Sequence, residues 1–222
     1  DGNQLTLAAT GSGTATEVLN ISGAGDLTVV ASNALTINNS ASGEVDLTGT
    51  VATTYTHTGS GLLRITTGVA DSTTTASGTG ALNFTDTIAG DTTVTGSSGN
   101  DTFNFGANLD TDDVVTGGTG TDLLTITGDS VTSAANGDIT VSGVETLHID
   151  SDGTVTIDFD IFANPAELAT IVFDGEGDAH EVTLTDVQAS TYTINNGNTA
   201  TTHDLDFITI DLKDSSGSAD SI

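Results

Sequence analysis

The chain has 222 residues, of which 31 are Asp or Glu and only 2 are Lys or Arg, so its formal net charge is −29. This charge excludes nucleic acid as a partner, because phosphate binding needs a basic surface, and it equally excludes an anionic membrane surface. The sequence contains no Cys to form disulfides and no apolar run long enough to insert into a bilayer. A compact state with this charge repels itself, so bound cations or a salty medium must offset the repulsion.

The remaining composition is typical of strands and turns. Gly numbers 27, aromatic residues are 4% and Pro is single, while Thr, Ser and the aliphatic residues fill most of the rest. Branched residues fit a pleated surface and Gly or Asn supplies the corners. The hydrophobic content of 35% lies below the usual value of about 45–50%, which favours a long thin core over a sphere.

Short alternating apolar pairs recur along the chain, many of them directly after a Gly-containing corner, as expected for half-buried strands. They are Leu5/Leu7, Leu27/Val29, Leu63/Ile65, Leu82/Phe84, Phe103/Phe105, Leu124/Ile126, Leu147/Ile149 and Val155/Ile157. Many successive members stand about twenty residues apart, which is the period of a solenoid coil. Further strand patterns fall between them, so each coil has two or more strands. The prediction is an all-β fold, an irregular right-handed parallel β-solenoid.

Two glycine-aspartate turns stand in the middle of the chain, each running into an apolar strand. Residues 96–103 read GSSGNDTF, and residues 117–124 read GGTGTDLL. The second fits the calcium-binding nonapeptide G-G-x-G-x-D-x-U-x at every fixed position, and the first differs only by Ser97. The glycines open a tight turn and the Asp adds a carboxylate. Such a turn is half a cation site, which a neighbouring coil must complete.

The pattern of short strands and Gly-containing corners changes near residue 158. We predict a β-solenoid over 1–157 and a continuing β-rich segment over 158–222, in the same domain or at the start of a further packing unit. Residues 164–169 begin with Asn as a helix cap and Pro at the first helical position, which predicts one short helix or a single turn. Asp174, Glu176 and Asp178 alternate in the next acidic turn. They form either a cation site with oxygen ligands or a solvated turn.

The two turns, together with VSGVETLHI at 141–149 and DLKDSSGSAD at 211–220, resemble the RTX-containing surface-layer proteins and large adhesins of Gram-negative bacteria. The resemblance implies a calcium-stabilised solenoid that is exported unfolded, folds in extracellular calcium and assembles into a cell-surface lattice. By position, it implies that the metal residues are Gly96, Gly99 and Asp101 in the first turn, and Gly117, Gly118, Gly120 and Asp122 in the second.

The spacing of the two turns departs from that family, because consecutive nonapeptides would stack identical turns whereas about twenty residues separate these two. Isolated calcium sites are therefore expected, completed by other acids such as Asp86, Asp91, Asp112 or Asp113. The alternative is that these Asp residues only cap turns, which Asp often does.

No catalytic pattern is evident. The four histidines are far apart, so no zinc pattern appears, and each is expected on a strand surface. No G-x-S-x-G nucleophile turn occurs. The chain is therefore predicted not to be an enzyme.

The leading hypothesis is a secreted, self-assembling cell-surface protein, such as a surface-layer, filament or matrix subunit. It would bind Ca²⁺, associate with copies of itself through lateral or end-to-end contacts, and contact cell-surface polysaccharide. One alternative is an adhesin or ligand-binding module whose Thr-rich strand face contacts sugar or ice, although Thr does not recur at a constant step. A second alternative is the non-catalytic RTX segment of a secreted enzyme, and a third is that the acidity reflects a high-salt habitat.

Overall fold

The computed structural model describes residues 3–7, 17–31, 35–50, 52–127, 139–150, 155–174, 180–187, 193–196 and 205–212. These residues form twenty strands and two short 3₁₀ turns. The strands are β1 (Asn3–Leu7), β2 (Glu17–Ile21), β3 (Leu27–Ala31), β4 (Leu35–Asn39), β5 (Val45–Thr50), β6 (Thr54–His57), β7 (Leu63–Thr67), β8 (Ser72–Ala76), β9 (Leu82–Asp86), β10 (Thr92–Thr95), β11 (Thr102–Gly106), β12 (Val114–Thr116), β13 (Leu123–Thr127), β14 (Thr140–Ser142), β15 (Thr146–Asp150), β16 (Val155–Asp158), β17 (Thr170–Asp174), β18 (His180–Val187), β19 (Thr193–Asn196) and β20 (Leu205–Leu212).

The strands form three parallel sheets. Sheet A contains all ten odd-numbered strands, in the order β1-β3-β5-β7-β9-β11-β13-β15-β17-β19. Sheet B has the order β14-β12-β10-β8-β6-β4-β2, and sheet C the order β16-β18-β20. Each strand pairs with the strand two places along the chain, so the chain alternates between two sheets and climbs one strand spacing per coil. The prediction of a parallel β-solenoid is confirmed.

The coils differ in length but keep their register in sheet B. The offset between paired side chains is 18 residues at Asn20 and Asn38, and 26 at Thr116 and Ser142. None of the pairings in sheet B carries a register shift, whereas sheet A shifts between Leu47 and Thr50 and between Asn104 and Gly106. The extra residues of the longer coils therefore lie in the corners.

Burial follows the period of two that a strand imposes. The inward positions of sheet A carry large apolar side chains, all at most 1% exposed: Leu63, Ile65, Leu82, Phe84, Phe103, Phe105, Leu124, Ile126, Leu147 and Ile149. The facing positions of sheet B are smaller on average, with Thr74, Val94, Val115 and Val141. Burying each large apolar side chain contributes about 1.5–3 kcal/mol. Stacked coils therefore share one long, thin core.

Glycine is required where the coils approach most closely. A Cβ placed on Gly61 would lie 2.0 Å from the carbonyl oxygen of Gly43, and one on Gly80 would lie 2.0 Å from that of Gly61. No side chain fits in this space. The Gly-containing corners of the sequence thus mark the edge where chain turns stack directly on one another.

Sheet B gives way to sheet C beyond β14, while sheet A runs on through β15, β17 and β19. Strands of sheet A therefore lie on both sides of the predicted division at residue 158. The predicted short helix is a single 3₁₀ turn, Pro165–Glu167, and the side chain of Asn164 makes no capping hydrogen bond. A second 3₁₀ turn, Phe159–Ile161, begins where the Asp158 side chain accepts a hydrogen bond from Asp160 N.

Candidate metal centre

The loops that lead from sheet B to sheet A form one edge of the solenoid, here called the glycine corner (residues 22–26, 40–44, 58–62, 77–81, 96–101, 117–122 and 143–145). Both predicted turns lie in it, in adjacent coils. Thr95 pairs with Thr116 immediately before the turns, so Gly96 stacks beside Gly117. The structure thus brings together the residues 96–101 and 117–122 that the sequence singles out.

Three acids occupy the last position of the glycine corner in successive coils. These residues, Asp101, Asp122 and Glu145, are called the acid ladder. Leu82 N donates to Asp101 Oδ1 at 2.6 Å, Asp101 N donates to Asp122 Oδ1 at 2.7 Å, and Asp122 N donates to Glu145 Oε2 at 2.9 Å. Each carboxylate therefore accepts from the backbone of the preceding coil, so the acids cap turns between coils as well as within them.

Glu145 was not among the predicted site residues. Its position was nevertheless visible, because Glu145 follows Gly143 and precedes the strand β15 just as Asp122 precedes β13. The corner 143–145 is shorter than the corner 117–122, and the longer Glu side chain still reaches the backbone N–H of Asp122 in the preceding coil.

The carboxylates of the two motif residues, Asp101 and Asp122, differ in the hydrogen bonds that they accept. Asp101 Oδ2 accepts from Ser97 N at 2.6 Å, and Oδ1 accepts from the Ser97 hydroxyl at 3.0 Å. The second turn has Gly118 in place of Ser97, with φ of +110°. Asp122 is only 1% exposed and its Oδ2 has no hydrogen-bond partner. The departure from the nonapeptide at Ser97 thus satisfies the first carboxylate, and the complete motif leaves the second unsatisfied.

The unpartnered oxygen lies in space that only glycine leaves open. A Cβ on Gly117 would meet Asp122 Oδ2 at 2.6 Å and the carbonyl oxygen of Gly143 at 1.8 Å. Carboxylate and carbonyl oxygens therefore converge beside Gly117, with further carboxylates above and below. Ca²⁺ prefers oxygen ligands of this kind, but among the described residues the three acids whose oxygens all lie within 4.8 Å of one another are Asp158, Asp160 and Asp186, not the acid ladder. Gly96, Gly99 and Gly120 shape the same corner.

The electrostatics of the ladder also call for positive charge. Burial raises the pKa of Asp122 to about 6, and the nearby charges of Asp101 and Glu145 add to the increase. Burial also raises the pKa of Asp101, against the opposing effect of hydrogen bonds from Leu82 and Ser97. A bound cation would favour the charged form of each group.

Asp112 and Asp113 lie at the opposite corner, in the loop that leads from sheet A to sheet B. Asp113 Oδ1 accepts from Thr92 N and Oδ2 from Asp110 N, both at 2.8 Å. Asp112 is exposed. A strand of about 15 Å separates the two corners, so the structure does not bring Asp112 and Asp113 to the motif turns that they were predicted to complete.

The opposite corner has its own group of acids. Asp86 Oδ1 accepts from Ile88 N at 3.1 Å, and Oδ2 accepts from the Thr92 hydroxyl at 3.1 Å. Burial raises the pKa of Asp113 to about 6, with additional effects from the charges of Asp110 and Asp86. The carboxylate oxygens of Asp113 and Asp86 are all engaged by protein donors, unlike Asp122 Oδ2.

A third group of acids was not predicted. Asp158, Asp160 and Asp186 each offer one carboxylate oxygen, and these oxygens all lie within 4.8 Å of one another at half-buried positions. Asp158 ends β16, and Asp186 lies near the end of β18 with φ of +54°. This cluster could hold a metal ion. The alternation of Asp158 and Asp160 was the available signal, but Asp186 joins them only through the fold.

The predicted acidic turn after β17 stays a prediction. Asp174 is the last residue of β17, and Glu176 and Asp178 lie outside the described residues.

One histidine contradicts the expectation of surface positions. His57 is fully buried at an inward position of β6, and burial lowers its pKa. Asn39 Oδ1 accepts from Ala41 N, which directs Asn39 Nδ2 to His57 Nδ1 at 3.1 Å. An amide nitrogen can only donate, so Nδ1 accepts and the ring is neutral. His57 is therefore part of the core, and His203 lies outside the described residues.

No family model, curated protein or solved structure matches the chain. Within the described residues, no helix has the length and apolar character needed to span a membrane. What the structure defines is an acidic parallel β-solenoid with a ladder of carboxylates at its glycine corner. The resemblance to RTX surface-layer proteins stays a prediction that rests on the motif residues.

Proposed function

We propose that the chain is a structural segment of a secreted, self-assembling cell-surface protein, such as a surface-layer, filament or matrix subunit, whose solenoid is stabilised by calcium at the glycine corner. The observation that carries this proposal is Asp122 Oδ2. It is a buried carboxylate oxygen with no donor, placed between Asp101 and Glu145, in a chain of net charge −29.

The repulsion within the ladder is substantial. Neighbouring strands of a sheet are about 5 Å apart, and two unit charges at that distance repel by about 3 kcal/mol at an effective dielectric constant of about 20. Of the two basic residues, Arg64 pairs with the exposed Glu44 at 2.8 Å, and Lys213 lies outside the described residues. With 31 acids and only two basic residues in the chain, we expect most of the compensating charge to come from solution.

Calcium suits this position better than other common ions. It accepts carboxylate and carbonyl oxygens in flexible geometry, whereas Mg²⁺ demands a nearly ideal octahedron and retains its waters. Extracellular modules bind Ca²⁺ with dissociation constants of about 0.1–1 mM, which matches a protein that folds after export. The cluster of Asp158, Asp160 and Asp186 is a second calcium position under this proposal.

Calcium would also control assembly. Two copies of net charge −29 repel each other, so lateral or end-to-end contacts need the same neutralisation as the coils. Removal of calcium is therefore expected to loosen the fold and the lattice together.

Calcium titration by calorimetry at fixed ionic strength tests the proposal. We expect saturable binding by the wild-type chain and a loss of the corresponding site in Asp122→Asn. Asp91→Asn is the control, because the structure places Asp91 in the opposite corner, between β9 and β10, where it is exposed and far from the motif turns. Calcium at about 100 times its dissociation constant would stabilise the fold by about 2.7 kcal/mol, which thermal denaturation followed by circular dichroism would detect.

Two results would contradict the proposal. One is an equal response to sodium, potassium and calcium, which would indicate adaptation to salt. The other is an unchanged circular dichroism spectrum and particle size in excess EGTA. Calcium titration of Asp186→Asn measures binding at the cluster of Asp158, Asp160 and Asp186 separately, since this substitution leaves the glycine corner intact.

A further inference from the structure

The outward positions of sheet B form two straight columns of side chains. The strand pairings place one residue from each coil directly beside its counterpart in the next. The first column is Val18, Thr36, Thr54, Thr73, Thr93, Val114 and Thr140, and the second is Asn20, Asn38, Thr56, Thr75, Thr95, Thr116 and Ser142. The hydroxyl-bearing residues of the two columns from Thr36 to Ser142 are called the threonine array.

The array carries no charge. Every member of both columns is Thr, Ser, Asn or Val, although the chain contains 31 acids. All fourteen side chains are exposed or half-buried. An uncharged face on a body of net charge −29 is complementary to an uncharged partner, because any anion is repelled and any cation is drawn to the corners instead.

The hydroxyls of the array are available to a partner. Among the described residues, the one hydrogen bond made by a hydroxyl of the array runs from Ser142 Oγ to Thr116 Oγ1 at 3.4 Å. The other hydroxyls can donate and accept outward. Branching at Cβ also restricts χ1 of Thr, so little side-chain freedom is lost when the face binds.

The array is a regular two-dimensional lattice. Its rows follow the strand spacing of about 4.8 Å, and its two columns are two residues apart, about 6.7 Å along the strand. No register shift interrupts sheet B. Hydroxyl and methyl groups therefore repeat at these intervals, from Thr36 to Thr93 in the first column and from Thr56 to Ser142 in the second, and the first column is interrupted at Val114, which has no hydroxyl.

We propose that the threonine array is an ice-binding face. Ice is an uncharged, flat and periodic surface, and its water molecules both donate to and accept from hydroxyls. Water held at regular intervals between the two columns would continue into the crystal lattice, while the methyl groups fill the spaces between hydroxyls.

Two other partners fit the array less well. Small-molecule and sugar sites are usually concave with aromatic side chains in their lining, whereas neither column contains an aromatic residue. A second copy of the chain brings another charge of −29. Among the described residues, Val18 at the end of the first column is the large apolar side chain that this face exposes, so a second copy would find little apolar surface to bury. The array therefore favours ice over both.

Slow growth of ice from a dilute solution of the chain in calcium chloride tests the proposal. We expect the wild-type chain to be enriched in the ice fraction and to shape growing crystals. Thr75→Tyr, at the centre of the array on β8, is expected to abolish the enrichment. Thr85→Tyr, an outward position of sheet A on the adjacent β9, is expected to retain it. Thr75→Val keeps the shape and loses one hydroxyl, so a partial loss is expected.

Exclusion of the folded wild-type chain from ice would overturn the proposal, as would equal losses in Thr75→Tyr and Thr85→Tyr. Pull-down on insoluble neutral polysaccharide and sedimentation velocity identify the other partners. Binding or self-association that Thr75→Tyr removes, without enrichment in ice, would assign the face to sugar or to a second copy. Circular dichroism in the same calcium buffer separates these outcomes from failure of the fold, so the result does not depend on the calcium proposal.

Discussion

Sheets A and B both stack one strand from each coil on the next, but they do so with different side chains. Inside, sheet A contributes large residues such as Phe84 and Phe103, while β8 of sheet B contributes Ser72, Thr74 and Ala76. Outside, sheet A mixes charged, polar and apolar residues, as in the stacked Asp46 and Arg64. Sheet B presents only uncharged residues outward.

This difference shows whether the solenoid requires columns of like side chains on its outer faces. A position repeated in every coil stacks on its neighbours, so like charges in one column repel. Sheet A avoids this by varying its column from Asp46 to Arg64 to Asn83. Sheet A pairs ten strands without such uniform columns, with two shifts of register, so a solenoid of this kind forms without the uniformity of the threonine array. This uniformity calls for an explanation in terms of what the face contacts.

The largest expected effect of a single substitution is at the inner face of sheet A. Phe84 is fully buried and packs against Phe105 with ring centroids 5.8 Å apart. Phe84→Ala removes this packing and leaves a cavity, so we expect a loss of about 3–5 kcal/mol in the free energy of unfolding. Denaturant unfolding followed by circular dichroism measures it. Thr85→Ala, the outward neighbour, should change stability by less than about 0.5 kcal/mol, and equal effects of both would refute the assignment of the core.

The solenoid and its corners were predictable from the sequence because they depend on local patterns. Alternating pairs such as Leu82 and Phe84 mark strands, and the two Gly-Asp turns mark one edge. The threonine array was not predictable, because coil length changes from 18 to 26 residues and a constant step in sequence is absent. The corners absorb the added residues, so the step varies while the register is kept.

The candidate metal residues are likewise predictable from the sequence only where they belong to a local motif. Asp101 and Asp122 are identified by their motif, whereas Asp186 meets Asp158 only after the chain has folded. The burial of His57 also depends on the fold, because inward and outward positions of a short polar strand such as β6 look alike in sequence.

An intermediate effect is expected from pH. The pKa of Asp122 and of Asp113 is raised to about 6 in the folded chain, above the ordinary value of about 4. Folding therefore favours the protonated groups. Their contribution to stability is full below about pH 4 and is lost as pH rises to about 6, about 2–3 kcal/mol for each group. With the chain first freed of calcium by dialysis, because EGTA chelates calcium only weakly at pH 5, and then kept in EGTA, the unfolding midpoint should be higher at pH 5 than at pH 7.5.

The pH dependence of stability distinguishes the acids of the corners from the threonine array. Asp122→Asn should reduce the pH dependence in EGTA, and Asp91→Asn should leave it unchanged. The threonine array has no titratable group, so enrichment in ice should be the same at pH 5 and pH 7.5 wherever the chain is folded in calcium. An unfolding midpoint that rises with pH in EGTA would contradict the sign derived from the buried acids.

The smallest effect is expected at the inner face of sheet B. Thr74 is fully buried at the centre of β8, and its hydroxyl has no hydrogen-bond partner. An unsatisfied buried hydroxyl costs about 1–3 kcal/mol, and Val has nearly the same shape. Thr74→Val should therefore stabilise the fold by about 1 kcal/mol, measured by denaturant unfolding, whereas Thr73→Val on the outer side of the same strand should have no such effect. Destabilisation by Thr74→Val would show that the hydroxyl is hydrogen-bonded inside the solenoid, and that the interior of sheet B is polar by requirement.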